Sequence, residues 1–395
     1  MLRHFVRRAA ASLCAAAFAA GLAAAPAAVR AADPIEIPVI IPLTGPAALL
    51  GKELADGARI AETDINRTGG VHGRPVKFVF EDDQTNPAVA LQLTNGVVAK
   101  KAPVFFGSTL TALCNAQIPA IKDGPTMYCY SPSIHPTPGS NLFSAMFSSD
   151  DFLTVMMRYF KERGFRKIAI LNGTDATGID GDHMLGDIIK LPEFKDMSFV
   201  SQEHFNLSEL TVGAQLARVK SSGAQALISY VTGPALATIL RGMSDTGLDI
   251  PVGSSPGNMS FAQMESYKAF MPKELLFAGP GLFAPDRITD PMIRQHVTDV
   301  LNQFRAAGIR PDNIHALSWD VAQLTVGVMR KLGPNPTSDQ IRTGLDNVTT
   351  FYGGLGHYDF KAVPQRGLEQ KDLIVERWDP AKADFVGASK PGGHL

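Results

Sequence analysis

Short apolar runs alternate along the chain with longer segments in which apolar residues recur at helical spacing. The first run, Ile35 to Leu43, is rich in isoleucine and predicts a buried strand, whereas the segment from Ala47 to Arg67 has the spacing of an amphipathic helix. Gly69 and Gly70 follow it as a helix stop. The same order recurs through the chain, so the sequence predicts β-α-β units and parallel sheets flanked by helices.

The pattern continues to the C-terminal end. Further strands are predicted at 76–81, 104–106, 127–130, 167–171, 199–205, 226–230, 251–253, 275–280, 355–360 and 371–378. Further helices are predicted at 87–99, 112–122, 152–163, 181–190, 212–221, 234–246, 290–307 and 313–332. An α/β pattern that is repeated over so long a chain indicates two lobes. Ligands of open parallel sheets bind beyond the carboxyl ends of the strands, so the loops that follow the strands are the candidate binding segments.

The first 31 residues have a different character. Arg3, Arg7 and Arg8 precede an alanine-rich apolar run at 9–28, and Val29-Arg30-Ala31 resembles a cleavage site. This arrangement is typical of a secretory signal peptide. A membrane anchor is the alternative, but the run is only weakly hydrophobic. We therefore expect a soluble protein that is exported to a bacterial periplasm.

Composition narrows the possible functions. The 37 basic and 38 acidic residues nearly balance, which argues against a nucleic-acid partner. A hydrophobic content of 45% excludes a disordered chain. Cys114 and Cys129 remain after the leader, and we expect them to be buried free thiols, with a disulfide in an oxidising compartment as the alternative.

Motifs for catalysis and metal binding are weak. The histidines are scattered and have no metal-ligand spacing, so we expect no metal and no cofactor. Residues 253–257 fit the G-x-S-x-G string of a hydrolase nucleophile elbow around Ser255. That elbow needs the backbone N–H of the residue after the nucleophile, and Pro256 has none. The string therefore predicts a plain loop, and we expect no enzyme.

The N-terminal part of the chain carries a more specific signal. Its motifs are Ile41-Pro42-Leu43-Thr44-Gly45-Pro46, Asp64-Ile65-Asn66, Gly69-Gly70-Val71-His72-Gly73-Arg74-Pro75-Val76 and Glu81-Asp82-Asp83. In these residues the chain resembles the periplasmic leucine/isoleucine/valine-binding proteins, the substrate-binding subunits of ABC importers of the branched-chain-amino-acid type. The resemblance extends over the whole chain after the leader and is weaker toward the C-terminal end.

The resemblance implies an α/β fold with two Rossmann-like lobes, parallel central sheets and a three-crossover hinge that closes on a solute. The N-terminal lobe would comprise 32–147 with 279–352, and the C-terminal lobe 148–278 with 353–395. The partners it implies are a small-molecule solute and the membrane permease of an ABC importer. We expect a monomer.

The resemblance also carries over site residues on the first lobe. These are Leu50, Thr109, Leu110, Thr111, Ser131, Ser133 and His135. In the family the segment at 109–111 clasps the ligand carboxylate through backbone N–H and hydroxyl groups, and the segment at 131–135 is a second such clasp. His135 departs from the family pattern. If it faces the cleft it would donate to a ligand carboxylate, and the alternative is a solvated loop histidine.

Departures on the second lobe bear on the ligand. Thr177 and Thr232 fall where amino-acid binders often carry tyrosine, and Ser255 falls where they carry an acid for the ligand ammonium. An ammonium buried without an anion is costly. We therefore expect a carboxylate or amide compound with a larger apolar body, such as an aromatic acid, in preference to a simple α-amino acid.

Three functions remain open on the sequence. The favoured one is a transport binding protein. A ligand sensor of the same fold, docking on a membrane receptor, would have the same sequence features. A secreted α/β hydrolase would depend on Ser255.

Overall fold

A computed structural model of the chain describes residues 33–395, and the predicted leader at 1–31 lies outside them. The strands are β1 Ile35–Ile41, β2 Val76–Asp82, β3 Val104–Phe106, β4 Thr126–Cys129, β5 Leu142–Ser144, β6 Lys167–Gly173, β7 Ser198–Phe205, β8 Ala226–Ser229, β9 Val252–Ser254, β10 Leu275–Gly279, β11 Phe351–Tyr352, β12 His357–Tyr358, β13 Ile374–Asp379 and β14 Asp384–Gly387. The helices are α1 Ala48–Arg67, α2 Pro87–Ala99, α3 Thr111–Gln117, α4 Ser149–Glu162, α5 Ala176–Ile188, α6 Gly213–Ser221, α7 Pro234–Thr246, α8 Phe261–Tyr267, α9 Pro291–Ala306, α10 Asn313–Lys331 and α11 Ser338–Asp346. In the part of the chain described, no helix is long and apolar enough to cross a bilayer.

The strands form two large sheets, and β11 and β12 form a separate antiparallel pair. The first has the order β2-β1-β3-β4-β5 and is parallel throughout. The second has the order β14-β13-β10-β9-β8-β6-β7, in which the strands from β6 to β10 are parallel and β13 and β14 are antiparallel. Helices cover both sheets, so the predicted α/β class with parallel-dominated sheets is confirmed.

The chain passes between the two sheets three times, after β5, after β10 and after β12. We call the body around the first sheet the first lobe and the body around the second sheet the second lobe. Helix α10 returns to the first lobe, where Arg330 donates to the Gly70 carbonyl at 2.7 Å and Gln323 to Asp64 at 2.9 Å. The residue bounds of the lobes given above stay a prediction.

The first turn of α1 lies at the edge of the first sheet that faces the cleft. The helix buries an apolar stripe that includes Leu50, Leu54 and Ile65, as its spacing predicts. A Cβ at Gly51 would lie 1.9 Å from the Pro42 carbonyl oxygen. Glycine therefore lets α1 begin close to the end of β1, and this brings Leu50 to the carboxyl edge of the sheet.

Five elements are absent from the sequence prediction. Strand β5 has three residues, all buried, which is too short for periodicity to show. Helix α8 has seven residues and strand β11 has two, while β14 is an end strand that pairs only with β13. Helix α11 carried a usable signal, because Thr337 and Gln340 form a reciprocal capping box at its start.

The expectation of two free thiols is wrong, because Cys114 and Cys129 form a disulfide. Helix α3 packs back over β4, so the two Cα atoms lie 6.1 Å apart, within the range that a disulfide bridges. Both residues are fully buried. The bond joins the helix that follows one predicted ligand segment to the strand that precedes the other.

Candidate ligand-binding cleft

The carboxyl ends of the parallel strands of both sheets face a shared cleft. A small cavity of about 20 Å³ lies between the lobes there, and we call it the inner cavity. It is lined by Leu50, Thr109, Leu110, Tyr130, Ser131, Pro132, Met146, Thr177, Thr232, Ser255, Gly257 and Ile314. Seven of the ten sequence-predicted site residues are in this lining, namely Leu50, Thr109, Leu110, Ser131, Thr177, Thr232 and Ser255.

Thr111 connects the two walls of the inner cavity. Its hydroxyl lies 2.9 Å from the Ser131 hydroxyl on the first lobe and 2.9 Å from the Thr177 hydroxyl on the second lobe. Thr111 is 3% exposed. The hydroxyls of Ser131, Thr111 and Thr177 therefore form a chain, and its Thr111–Thr177 link is a direct hydrogen bond between the lobes.

The polar groups of the inner cavity are neutral. Its lining contains hydroxyls and backbone groups, and no lining side chain is ionisable at neutral pH. Helix α3 begins at the lining, directly after Leu110, and has no side-chain cap. Uncapped first-turn N–H groups and the positive end of the helix dipole favour a carboxylate or an amide oxygen.

Ser133 lies beside a buried tyrosine that sequence reasoning missed. Tyr230 is 1% exposed, and its hydroxyl has no hydrogen-bond partner of good geometry; neither has that of Ser133. Burial raises the pKa of the Tyr230 phenol, and the neighbouring Ser133 and Ser255 hydroxyls oppose the rise. The sequence offered one signal, because Tyr230 directly follows β8 at the edge that carries Thr232.

His135 does not face the inner cavity. Its Nε2 lies 2.7 Å from Asp180 Oδ1 on α5, and its side chain is 45% exposed. The ring is therefore at the rim of the cleft, where it pairs with the second lobe. This geometry gives no contact with a ligand carboxylate in the inner cavity and differs from the cleft-facing orientation considered from the sequence.

A buried carboxyl between the lobes was also missed. Glu53 lies one turn beyond Leu50 on α1, is 6% exposed, and accepts a hydrogen bond of 2.6 Å from Ser260 of the second lobe. Burial raises the pKa of Glu53 to about 9, and Asp312 adds to the rise. Glu53 is therefore neutral at pH 7 and supplies no charge to the cleft. A charged residue on the apolar face of α1 was the sequence signal for it.

Ser255 is built into a turn. It caps the short 3₁₀ turn at Pro256–Asn258, where its hydroxyl accepts from the Gly257 N–H at 3.3 Å and lies 3.5 Å from the Thr232 hydroxyl. A nucleophile needs a base within hydrogen-bond reach, and neither of these partners is a base. Among residues 33–395 no group of three or more His, Cys, Asp or Glu side chains is placed to hold a metal ion.

Sequence comparison finds a family and several relatives. The model of a family described as periplasmic binding protein matches residues 34–382. A Leu/Ile/Val-binding protein homolog of Brucella suis is 24% identical over 344 residues, which cover 82% of this chain and 85% of the relative. A leucine-, isoleucine-, valine-, threonine- and alanine-binding protein of Pseudomonas aeruginosa is 26% identical over 345 residues, covering 85% and 87%.

Solved structures share the fold at lower identity. A type 1 periplasmic binding protein of Bordetella pertussis has a TM-score of 0.76 at 20% identity, over 88% of this chain and 97% of the other. A branched-chain amino acid transporter substrate-binding protein of Streptococcus pneumoniae, in complex with isoleucine, has a TM-score of 0.73 at 18% identity, over 87% and 95%. An ABC-transporter solute-binding protein of Rhodopseudomonas palustris, in complex with benzoate, has a TM-score of 0.72 at 17% identity, over 90% and 95%.

Proposed function

The chain belongs to the periplasmic binding protein family, and from this we propose that it is the solute-binding component of an ABC importer of the branched-chain-amino-acid type. Its ligand is a small carboxylate- or amide-bearing compound, with an aromatic or other organic acid favoured over a free amino acid. The observation that carries the proposal is the inner cavity, which is lined from both lobes by hydroxyls and by no charged side chain.

The neutral lining argues against an α-amino acid. A buried ammonium without an anionic partner costs several kcal/mol, as an order of magnitude. Ser255 stands where the resemblance places the ligand-binding acid, and Glu53 is held neutral by burial. Thr177 and Thr232 contribute small side chains in place of tyrosines. Carboxylate and amide oxygens, by contrast, have hydroxyl and N–H donors available.

The contacts between the lobes support capture by closure. Thr111 bonds Thr177, and Glu53 accepts from Ser260, so both pairs break when the lobes separate. A ligand that touches both walls has more contacts in the closed form than in the open one. It therefore shifts the equilibrium toward closure by that difference in affinity.

The solved relatives do not decide between ligand classes, since one is a complex with isoleucine and another a complex with benzoate. Our preference for an organic acid rests on the lining residues of this chain. We further propose that the protein acts in the periplasm after removal of 1–31, as a monomer, and delivers its solute to a membrane permease. The structural place of Ser255 supports binding without turnover.

The test is ligand-induced thermal stabilisation of the purified protein against amino acids, aromatic acids, dicarboxylates, amides and urea. Binding to the native state alone stabilises by about 2.7 kcal/mol at a hundredfold excess over Kd. We expect a shift in melting temperature with organic acids and none with leucine or valine. A shift with leucine comparable to the best acid would contradict the favoured ligand class.

A variant pair links the binding to the inner cavity. Thr111→Val keeps the shape of the side chain and removes the hydroxyl that joins Ser131 to Thr177, so we expect Kd for the best acid to rise at least tenfold. Thr325→Val is the matched control, because that hydroxyl is buried on α10 without a partner. Equal effects of the two variants on Kd would place the ligand elsewhere.

A further inference from the structure

A second cavity opens beside the inner cavity. It has a volume of about 640 Å³, and we call it the outer groove. The two spaces share Leu50, Leu110 and Thr232 as walls. The volume of the outer groove is in the range of small-molecule pockets, whereas the inner cavity has room for about one water molecule.

The outer groove is apolar. Leu49 and Leu207 stand on opposite sides of it and are 37% and 46% exposed, so two large apolar side chains are left in contact with water. Its lining in the described chain contains no Asp, Glu, Lys, Arg or His. The polar ends of Tyr267 and Gln263 are engaged with each other at 2.8 Å. The groove therefore offers van der Waals contact and few free hydrogen-bonding groups.

Both lobes build the outer groove. Leu49 belongs to α1 of the first lobe, while Leu207, Ala237 and Ala262 belong to the second. Its width therefore changes when the lobes move. Apolar surface that fills it touches both lobes at once and adds to the preference for the closed form.

We propose that the outer groove is a second subsite of the cleft and holds the apolar tail, an aryl or alkyl group, of the same ligand whose carboxylate or amide head reaches the inner cavity. The inference rests on the proposed function and narrows its ligand class to organic acids with an extended apolar tail. The shared walls carry it, because a tail leaving the inner cavity past Leu50 and Leu110 enters the groove directly. The inner cavity alone is too small for an aromatic ring.

The experiment measures Kd by calorimetry along a series with one head and a growing linker: benzoate, phenylacetate, 3-phenylpropanoate, 4-phenylbutanoate and 6-phenylhexanoate. Each methylene that becomes buried tightens binding about fourfold. We expect Kd to fall along the series by at least tenfold from benzoate to 4-phenylbutanoate, and then to level off when the groove is full.

Two variants test the location of the tail, each with a control on the same lobe. Leu207→Ser removes part of one wall, whereas Leu210→Ser changes a residue on the same loop that is 94% exposed and outside the groove. Ala262→Trp fills the groove from its rim, and Ala214→Trp places the same ring on another exposed helical position. We expect the Leu207 and Ala262 variants to weaken 4-phenylbutanoate at least tenfold and benzoate by a clearly smaller factor, because the ring of benzoate reaches only the start of the groove beside Leu50 and Leu110. The controls should leave both unchanged.

The outcomes separate this inference from the proposed function. If no member of the series binds, the proposed ligand class fails and the inference fails with it. If benzoate binds and Kd stays flat along the series, the outer groove is not a subsite while the proposed function stands. If Kd falls along the series but the Leu207 and Ala262 variants retain the fall, the tail lies outside the groove and the inference is overturned.

Discussion

The two walls of the cleft carry similar hydroxyls but are held in place by different means. On the first lobe, the disulfide between Cys114 and Cys129 ties α3 to β4, and these elements carry Thr111 and lead to Ser131. On the second lobe, the Asn258 side chain accepts from the Gly233 N–H at 2.8 Å and donates to the Val231 carbonyl at 2.7 Å. A covalent link thus fixes one wall, whereas hydrogen bonds of buried amides, Asn258 among them, fix the other. We infer that the first wall positions the ligand head and that the second adapts as the lobes close.

The largest expected effect comes from removing the covalent link. The disulfide closes a chain segment of 15 residues, for which the loop-entropy relation gives about 3 kcal/mol of stability. We expect the double variant Cys114→Ala, Cys129→Ala to lose about 2–4 kcal/mol in free energy of unfolding, measured by urea denaturation, and to bind its acid more weakly. Reductant should affect the wild type in the same way and leave the variant unchanged. A variant as stable as the wild type would show that packing alone holds this wall.

Next in size is loss of the amide on the second wall. Asn258→Ala leaves buried backbone groups of residues 231 and 233 without partners, at a cost of about 2 kcal/mol. We expect lower stability and a Kd at least tenfold higher, because the loops of Thr232 and Ser255 lose their common anchor. Asn141→Ala is the matched control, since that amide donates to the Ile121 and Gly124 carbonyls of the first lobe outside the cleft lining. Asn141→Ala should lower stability and leave Kd unchanged. An equal rise in Kd for both variants would show that Asn258 has no specific role in holding the second wall.

A pH titration sharpens the comparison at the contact between the walls. The pKa of Glu53 is about 9 in the folded protein, against 4.5 as its ordinary value. Between these values the unfolded chain has released a proton that the native state keeps, so the free energy of unfolding falls as pH rises from about 4.5 to 9. Opening the cleft removes the Ser260 contact and hydrates the carboxyl. The open form therefore releases the proton more readily than the closed form, and Kd should rise between pH 7 and pH 9 by up to about fiftyfold.

Glu53→Gln should flatten this rise in Kd, because the amide stays neutral at every pH. Glu376→Gln is the control: burial raises the pKa of Glu376 to about 8, but it lies within the second lobe, where it accepts from the Phe283 N–H. The control should reduce the pH dependence of stability and retain the rise in Kd. A titration of Kd with the same slope in both variants would contradict a role for Glu53 in closure.

The smallest effect is expected at the rim. The pair of His135 and Asp180 is partly exposed and joins the lobes outside the inner cavity. Such pairs are worth about 0–1 kcal/mol. His135→Ala should therefore change Kd less than about threefold, as should Asp180→Asn. A loss of more than tenfold for acids in the His135 variant alone would show that the ring reaches the ligand head.

Prediction from the sequence was strongest where the signal is local. Helix α7 was placed at its observed bounds, and α1 within a residue, because their apolar spacing and end signals lie within each segment. The segments around Thr109 and Ser131 came from a resemblance to related sequences, and seven of the ten residues proposed from it do line the inner cavity. Tyr230 and Glu53 were missed because their importance depends on burial by distant parts of the chain.

The sequence by itself determined the α/β class, the order of most elements and the loops that face the cleft, since each depends on patterns within one segment or on the order of segments. Only the tertiary structure decided the disulfide, the outward turn of His135 and the contacts that join the lobes. Thr111 and Thr177 are 66 residues apart, and Glu53 and Ser260 are 207 apart. The hydrophobic periodicity of a segment contains no information about contacts between residues so far apart in the sequence. Which distant groups meet depends on how two lobes, each folded from its own segments, pack against each other.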